Sequence, residues 1–362
     1  MAAATPTAPG FKLSAAIVAR WAEKMARLAG EIDFSGVLSL APPGEGDSYD
    51  LAFGYADWGH RVPNKVDTRF AMASGCKLFT ATAVGLLIED GKIGLDTRLA
   101  DCVHSREFHF GRDVTIGQLL NHTSGIPDYF SEETETDYAA LFRKRPSYRM
   151  NSVRDFLPLF ENSAMKAAPG SGFLYCNSGF ILLGLVIEEL TGRDFRDFIA
   201  ERIFRPCGMT RTGYYAMDAL PENTALGYVS RGEDGWRTNI FSVASVGGAD
   251  GGAFTTAGDL RLFWTAFLNG KILGRETVDR FLTPSVPVPE RGDNWHYGYG
   301  VWLRQEPDGW IANIEGGDPG ASLESHVGID FGRPILTVIS NTGDGADLYW
   351  KIVEKRDAAE RA

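Results

Sequence analysis

Residues 68–77, Thr68-Arg69-Phe70-Ala71-Met72-Ala73-Ser74-Gly75-Cys76-Lys77, and the apolar run that follows them decide the fold. Thr68, Phe70 and Met72 alternate as in a strand, and a helix is expected to open at Ser74. In that helix Leu78, Phe79, Ala81, Val84, Leu86, Leu87 and Ile88 wrap most of the circumference, which marks a buried central helix rather than a surface one. Gly91 supplies its C-terminal stop. The spacing places Ser74 and Lys77 one turn apart on one face. Positive partial charge at the helix N-terminus and burial both disfavour an ammonium, so a neutral Lys77 amine is expected to accept the serine proton.

Ser163-Ala164-Met165-Lys166 repeats the S-x-x-K spacing. It falls between an apolar helix end and the Ala168-Pro169-Gly170 turn, and reads as coincidence. Tyr175-Cys176-Asn177 lies in a polar Ser-Gly-rich turn before the apolar helix from Phe180. A phenol and a carboxamide two positions apart suit a proton relay and an anchor for a lysine or a substrate amide. Alone, the tripeptide reads by default as a capping Asn beside a packed Tyr.

Outward from this centre, residues 17–30 have helical spacing. Gly36–Leu40 and Tyr49–Tyr55 form two β-rich runs around a Pro-Pro-Gly-Glu-Gly turn. From Leu99 to about Ser242, helical segments such as Ile181–Leu190 alternate with long polar connections and no convincing run of strands. Beyond Gly247 a helix over Leu260–Asn269 precedes strand-like runs at Tyr297–Leu303, Trp310–Ile314, Ser322–Ile329 and Ile335–Ser340, with an amphipathic helix over Leu348–Glu360. The fold class expected is α/β (α+β): an antiparallel sheet flanked by helices, formed by both chain ends, with an inserted, mostly helical domain. The sheet domain takes residues 11–92 and 243–362, and the helical domain residues 93–242.

Composition narrows the functional classes. The 362 residues are 44% hydrophobic and 23% charged, with a net charge of −11. This is the profile of a globular protein, and the acidic balance argues against a nucleic-acid or anionic-lipid partner. The longest apolar stretch, Gly179–Ile187, stops at Glu188. It is far short of the ~20 residues of a membrane span. The first ten residues lack the features of a signal peptide, so a cytoplasmic location with reduced cysteines is expected. Cys76, Cys102, Cys176 and Cys207 show no zinc spacing, H-E-x-x-H is absent, and no metal is expected. The 42 glycines exceed the usual share of about 7%.

The chain resembles the serine β-lactamase-like family: class C β-lactamases, D,D-peptidases, and esterases, amidases and transacylases on the same fold. The resemblance runs through Gly54-Tyr55-Ala56, Thr68–Ser74 with Lys77, Leu119-Leu120-Asn121-His122-Thr123-Ser124-Gly125-Ile126-Pro127-Asp128-Tyr129, Pro169-Gly170 leading to Tyr175-Cys176-Asn177, Gly251–Leu260 and Tyr297–Gly300. It implies Ser74 as nucleophile, Lys77 as general base, Tyr175 as proton donor to the leaving group, and Asn177 as an orienting group. The family's third motif, Lys-Thr-Gly, His-Thr-Gly or His-Gly-Gly, is met by Glu315-Gly316-Gly317-Asp318. The two glycines fit a strand that a substrate approaches closely. Glu315 departs from the pattern: ionised in the cleft it would repel a substrate carboxylate, and pointing to solvent it would leave an ordinary acyl pocket. The backbone N–H groups of Ser74 and Asp318 are expected to hold the oxyanion.

The function so implied is a serine acyl-enzyme hydrolase acting on a small ester or amide. Alternatives are a transacylase of secondary metabolism, a β-lactamase or D,D-peptidase, and a non-catalytic binding module. No cofactor is expected, since no P-loop or dinucleotide motif occurs, and G-x-S-x-G is absent. Asp128 and Tyr129 are expected near the cleft. Tyr129, Trp295, Tyr297, Tyr299 and Trp302 read as core more readily than as pocket. Cys76 and Cys176 are either neighbours, should the two catalytic motifs converge, or simply small buried residues; the second is favoured.

Overall fold

The computed structural model describes residues 15–360 apart from 44–45, 112, 133, 136, 233–234 and 331–332. Its centre is an eight-stranded antiparallel sheet. The strands are β1 (Gly36–Ala41), β2 (Tyr49–Phe53), β3 (Val286–Pro287), β4 (Trp295–Tyr297), β5 (Trp302–Glu306), β6 (Gly309–Asp318), β7 (Ala321–Gly328) and β8 (Ile335–Ser340). They lie in the order β2-β1-β8-β7-β6-β5-β4-β3. β1 pairs with β8 in the register Gly36↔Ser340 to Ala41↔Ile335, so the two chain ends meet inside one sheet.

Five helices position this sheet and the site: α1 (Ala15–Glu31), α2 (Lys77–Glu89), α3 (Asn177–Thr191), α4 (Ala257–Leu268) and α5 (Gly345–Glu360). Strand side chains alternate between faces. Leu38 and Val338 therefore join the layer of Met25, Leu28, Leu348 and Tyr349 from α1 and α5. Their neighbours Val37 and Ile339 join the larger core of α2, α3 and α4. Covered on both faces, β8 (ILTVIS) and β7 (ASLESHVG) are buried along their whole length. α2 has eleven buried residues and α3 another eleven, as expected of helices enclosed on all sides.

Three boundaries differ from the sequence reading. Ser74 does not open the α-helix; it sits in a 3₁₀ turn, Ala73–Cys76, and the α-helix begins at Lys77. The run Tyr297–Leu303 is two strands and a turn, because Tyr297 pairs with Trp302 across Gly298–Val301. Gly300 (φ +80°) packs so close to Ala81 that an added Cβ would stand 2.4 Å from that side chain. Within residues 93–242 a hairpin, Tyr228–Gly232 with Gly235–Thr238, joins the helices. Its strands are short and polar, which hides them from a search for apolar alternation.

Candidate active site

The turn that carries Ser74 is fixed from three sides. Phe70 and Ala71 pair with Thr255 and Phe254. Met72 N–H donates to the Ala253 carbonyl (2.9 Å), and Gly252 N–H donates to the Ala73 carbonyl (3.1 Å). Ala73 has φ +45°, a left-handed conformation that costs a non-glycine residue about 1 kcal/mol or more. β6 closes the third side at Gly316. A Cβ there would lie 2.3 Å from the Met72 carbonyl, 2.7 Å from Gly75 N and 2.9 Å from Ser74 N. Gly316 thus owes its lack of a side chain to contact with the serine turn, whereas Gly317 has open space around it.

Lys77 is buried, and its Nζ stands at the centre of the site. It donates to Ser74 Oγ (2.8 Å), Asn177 Oδ1 (2.7 Å) and the Asp250 carbonyl (2.7 Å). Those three directions fill the tetrahedral positions of an ammonium. An amine in the same place keeps two donated bonds and accepts the third from Ser74, which is the arrangement a proton acceptor needs. Asn177 is held in turn: its Nδ2 donates to Glu132 Oε1 (3.1 Å) and its backbone N–H to Asp128 Oδ2 (3.0 Å). Asp128 also accepts from the Ser178 N–H and Oγ at the start of α3. Burial nevertheless pushes its carboxyl up to about 6, against the Ser178 and Asn177 N–H groups that lower it.

Tyr175 lines the same cleft as Ser74. Lys77 Nζ is 5.1 Å from its ring centroid, and the ring stacks on Trp302 at 6.0 Å. Burial first, then the negative Glu132, hold the phenol well above its usual range, so it carries its proton at neutral pH. Asp250 accepts a hydrogen bond from Tyr129. Burial raises its carboxyl as well.

The cleft in front of Ser74 encloses about 1110 Å³. Glu132, Glu135, Asp250, Glu315, Asp318 and Glu324 line it, and Arg291 is the one cation among its described lining residues. Asp318, at the end of β6, is pushed up to about 7, by burial and then by the neighbouring Asp250. Glu315 faces the cleft, as one reading of the sequence has it, but its charge is not free. Arg291 grips it with both Nη atoms, one at 2.8 Å, while the guanidinium lies 3.7 Å above the Trp302 ring. Glu324 stands directly across the strand pair from Glu315. Burial and that neighbour hold Glu324 well above the carboxylate range, leaving it protonated and bonded to Asn313.

Arg291→Ala is accordingly expected to leave two carboxyl groups facing each other without a cation. The loss should be roughly 1–3 kcal/mol at pH 8, less than for a fully buried pair because the Arg291 side chain is 34% exposed. It should shrink as pH falls from 8 to 5, because the raised Glu315 takes up its proton at a higher pH than a free glutamate does. Urea unfolding at the two pH values measures this.

The structure brings Ser74, Lys77, Tyr175, Asn177, Glu315, Gly316, Gly317 and Asp318 to one cleft. The second S-x-x-K lies in exposed turns and bends with no helix to align it. Tyr129, Trp295, Tyr297 and Trp302 are buried in the core clusters, as the sequence reading favours, and Tyr129, Trp295 and Trp302 also show a side to the cleft; Tyr299, half-buried, packs against the main core. Cys76 and Cys176 are buried with different surroundings: the first thiol faces the Ala73 and Gly248 carbonyls, the second those of Ile126 and Pro127. Glu132, Asp250, Arg291 and Glu324 escaped the sequence reading. Asp250 had a signal, as the one charged residue inside the glycine run 247–252; the other three had none.

A β-lactamase family profile matches residues 21–351. Penicillin-binding protein 4* of Bacillus subtilis (strain 168) is 30% identical over 335 residues, which is 89% of this chain and 71% of that protein. A penicillin-binding protein from Bacillus halodurans superposes with a TM-score of 0.85 at 39% identity, covering 91% of this chain and 99% of the other. D-amino acid amidase from Ochrobactrum anthropi SV3, at 22% identity, shares the fold with a TM-score of 0.75 over 94% of this chain and 99% of its own. No helix among the described residues is long and apolar enough to cross a membrane. Sequence, fold and an assembled S-x-x-K site agree that the chain is a serine hydrolase and belongs to the β-lactamase family.

Proposed function

We propose that this enzyme cleaves small amides or esters whose acyl part is neutral or bears an amine, through an acyl-enzyme on Ser74. One observation carries the reading: Lys77 Nζ sits 2.8 Å from Ser74 Oγ with its other two directions fixed by Asn177 and the Asp250 carbonyl. Ser74 Oγ attacks the carbonyl carbon while its proton passes to the Lys77 amine. The N–H groups of Ser74 and Asp318 receive the oxyanion, a contribution of about 10²- to 10³-fold per donor. Tyr175 gives its phenolic proton to the leaving nitrogen or oxygen and is reprotonated from Lys77. Water then attacks the acyl-enzyme by the same relay in reverse.

The cleft lining supports the substrate class. Arg291, the one cation among the described lining residues, is engaged by Glu315, so the cleft wall offers a substrate carboxylate no unpaired cation, while Asp318, ionised above about pH 7, favours an ammonium. A panel of D-phenylalanine amide, p-nitrophenyl acetate and a chromogenic cephalosporin tests this. The amide and the ester should turn over, with the cephalosporin slowest. A cephalosporin that is the fastest substrate overturns the assignment.

Asp318 adds a pH dependence. Its carboxyl is neutral below about 7 and anionic above. KM for an amine-bearing amide should therefore fall as pH rises through about 7, while KM for p-nitrophenyl acetate stays level. Asp318→Asn should abolish the fall. Transfer of the acyl group to an alcohol or amine is a second reading, favoured by a cleft larger than one small acyl group requires. Added hydroxylamine that diverts most of the product from hydrolysis would select it. The boundaries 92/93 and 242/243 for an inserted helical domain belong to the same proposal, as does a cytoplasmic location, supported by four buried free thiols.

A further inference from the structure

His122 belongs to the Leu119–Tyr129 segment, which the mechanism above leaves without a task. It is fully buried and holds φ +60°, a conformation that a residue with a Cβ adopts only under constraint. Two hydrogen bonds tie it to the segment before α3. Its carbonyl accepts from Leu174 N–H (2.8 Å), and its Nδ1 accepts from Cys176 N–H (3.0 Å). These bonds bracket Tyr175. The imidazole also lies against the Tyr175 ring at 4.4 Å between centroids, with Phe173, Phe180 and Tyr297 closing its remaining sides at 4.8–5.6 Å.

A ring nitrogen that accepts a backbone N–H carries no proton, so His122 is the neutral tautomer with its hydrogen on Nε2. Nε2 is buried without a hydrogen-bond partner among the described residues. Burial, and then the charge of Lys77, hold the imidazole well below its usual range. It therefore keeps its acceptor on Cys176 at neutral pH.

We infer that His122 is the positioning residue that aims the Tyr175 hydroxyl at the leaving group, using its imidazole as hydrogen-bond acceptor for Cys176 N–H and as ring support. The inference rests on the role proposed for Tyr175. Two substitutions separate the two functions of the imidazole. His122→Asn keeps an acceptor oxygen at the Nδ1 position, and His122→Phe keeps the ring and removes the acceptor.

The probes are D-phenylalanine amide, whose leaving group needs a proton, and p-nitrophenyl acetate, whose leaving group does not. For the ester the acylation rate is read from the nitrophenolate burst. His122→Phe should lower kcat on the amide about 10²-fold, the scale of a positioned general acid, with KM little changed and the ester burst nearly unaltered. His122→Asn should recover most of the amide rate. Equal losses on both probes in His122→Phe, or no recovery in a folded His122→Asn, overturn the inference. Tyr175→Phe, run alongside, keeps the two levels apart. Full amide turnover there removes the proposed role of Tyr175 itself, whereas an inactive Tyr175→Phe beside a fully active His122→Phe removes only that of His122.

Discussion

Lys77→Met is expected to lower kcat/KM on the best amide or ester by about 10⁴-fold or more, the scale seen when one member of a nucleophile–base pair is removed. The side chains are close in length, so the change chiefly deletes the nitrogen. Ser74 Oγ loses its proton acceptor, and Asn177 Oδ1 and the Asp250 carbonyl lose their donor. Each abandoned buried acceptor costs about 1–3 kcal/mol. Removing the buried nitrogen also removes its own desolvation cost, which offsets part of that loss. Thermal stability should therefore fall modestly while turnover collapses. The double variant Ser74→Ala/Lys77→Met should be no slower than either single one, because the two residues act as a unit. Steady-state kinetics with a parallel melting curve decide the point; a folded Lys77→Met retaining a tenth of the activity would contradict the role.

Gly316→Ala should damage stability and turnover together, because its methyl group falls between β6 and the serine turn. Its Cβ would press on three backbone atoms, of Met72, Ser74 and Gly75, and backbone on both sides cannot rotate away as a side chain tip can. β6 and the serine turn must separate, at a cost of roughly 2–4 kcal/mol. A displacement of Ser74 by about 1 Å lowers kcat by about 10²-fold. Gly317→Ala is the control, since its Cβ enters open space. It should leave denaturant stability within about 0.5 kcal/mol of the parent, as expected where nothing is touched. Equal effects at the two positions would show that β6 does not pack on the turn as described.

The contrast between those neighbouring glycines shows where sequence reading reaches its limit. Two glycines on a strand signal close approach, but not of what: Gly316 meets the enzyme's own backbone, and Gly317 meets the cleft. The fold was legible because its signals are local and redundant. Apolar residues around all of α2 and α3 require enclosure, and β-rich runs at both ends require a shared sheet, which the β1–β8 pairing provides. Ser74, Lys77, Tyr175 and Asn177 were legible from spacing and company.

The electrostatic frame was not. Arg291 reaches Glu315 from a loop 24 positions away, and Glu324 faces it through strand register, so each acquires meaning only from the pairing. Read alone, Glu315 appeared as a free anion or a solvent-facing one; its bidentate partner makes it half of a neutral pair on the cleft wall. His122 was visible as part of a motif, but its neutrality follows from a single backbone donor, Cys176, 54 residues away. Lys77 illustrates the same limit: its type and spacing announce a base, while the three acceptors that orient it come from three separate parts of the chain.

The most direct measurement is the intact mass of the enzyme after incubation with a fluorophosphonate, followed by peptide mapping, for the parent and for Ser74→Ala. A single adduct on Ser74 in the parent and none in the variant is the predicted result. An unmodified parent, or an adduct that persists in Ser74→Ala, would contradict the account of Ser74 as the nucleophile.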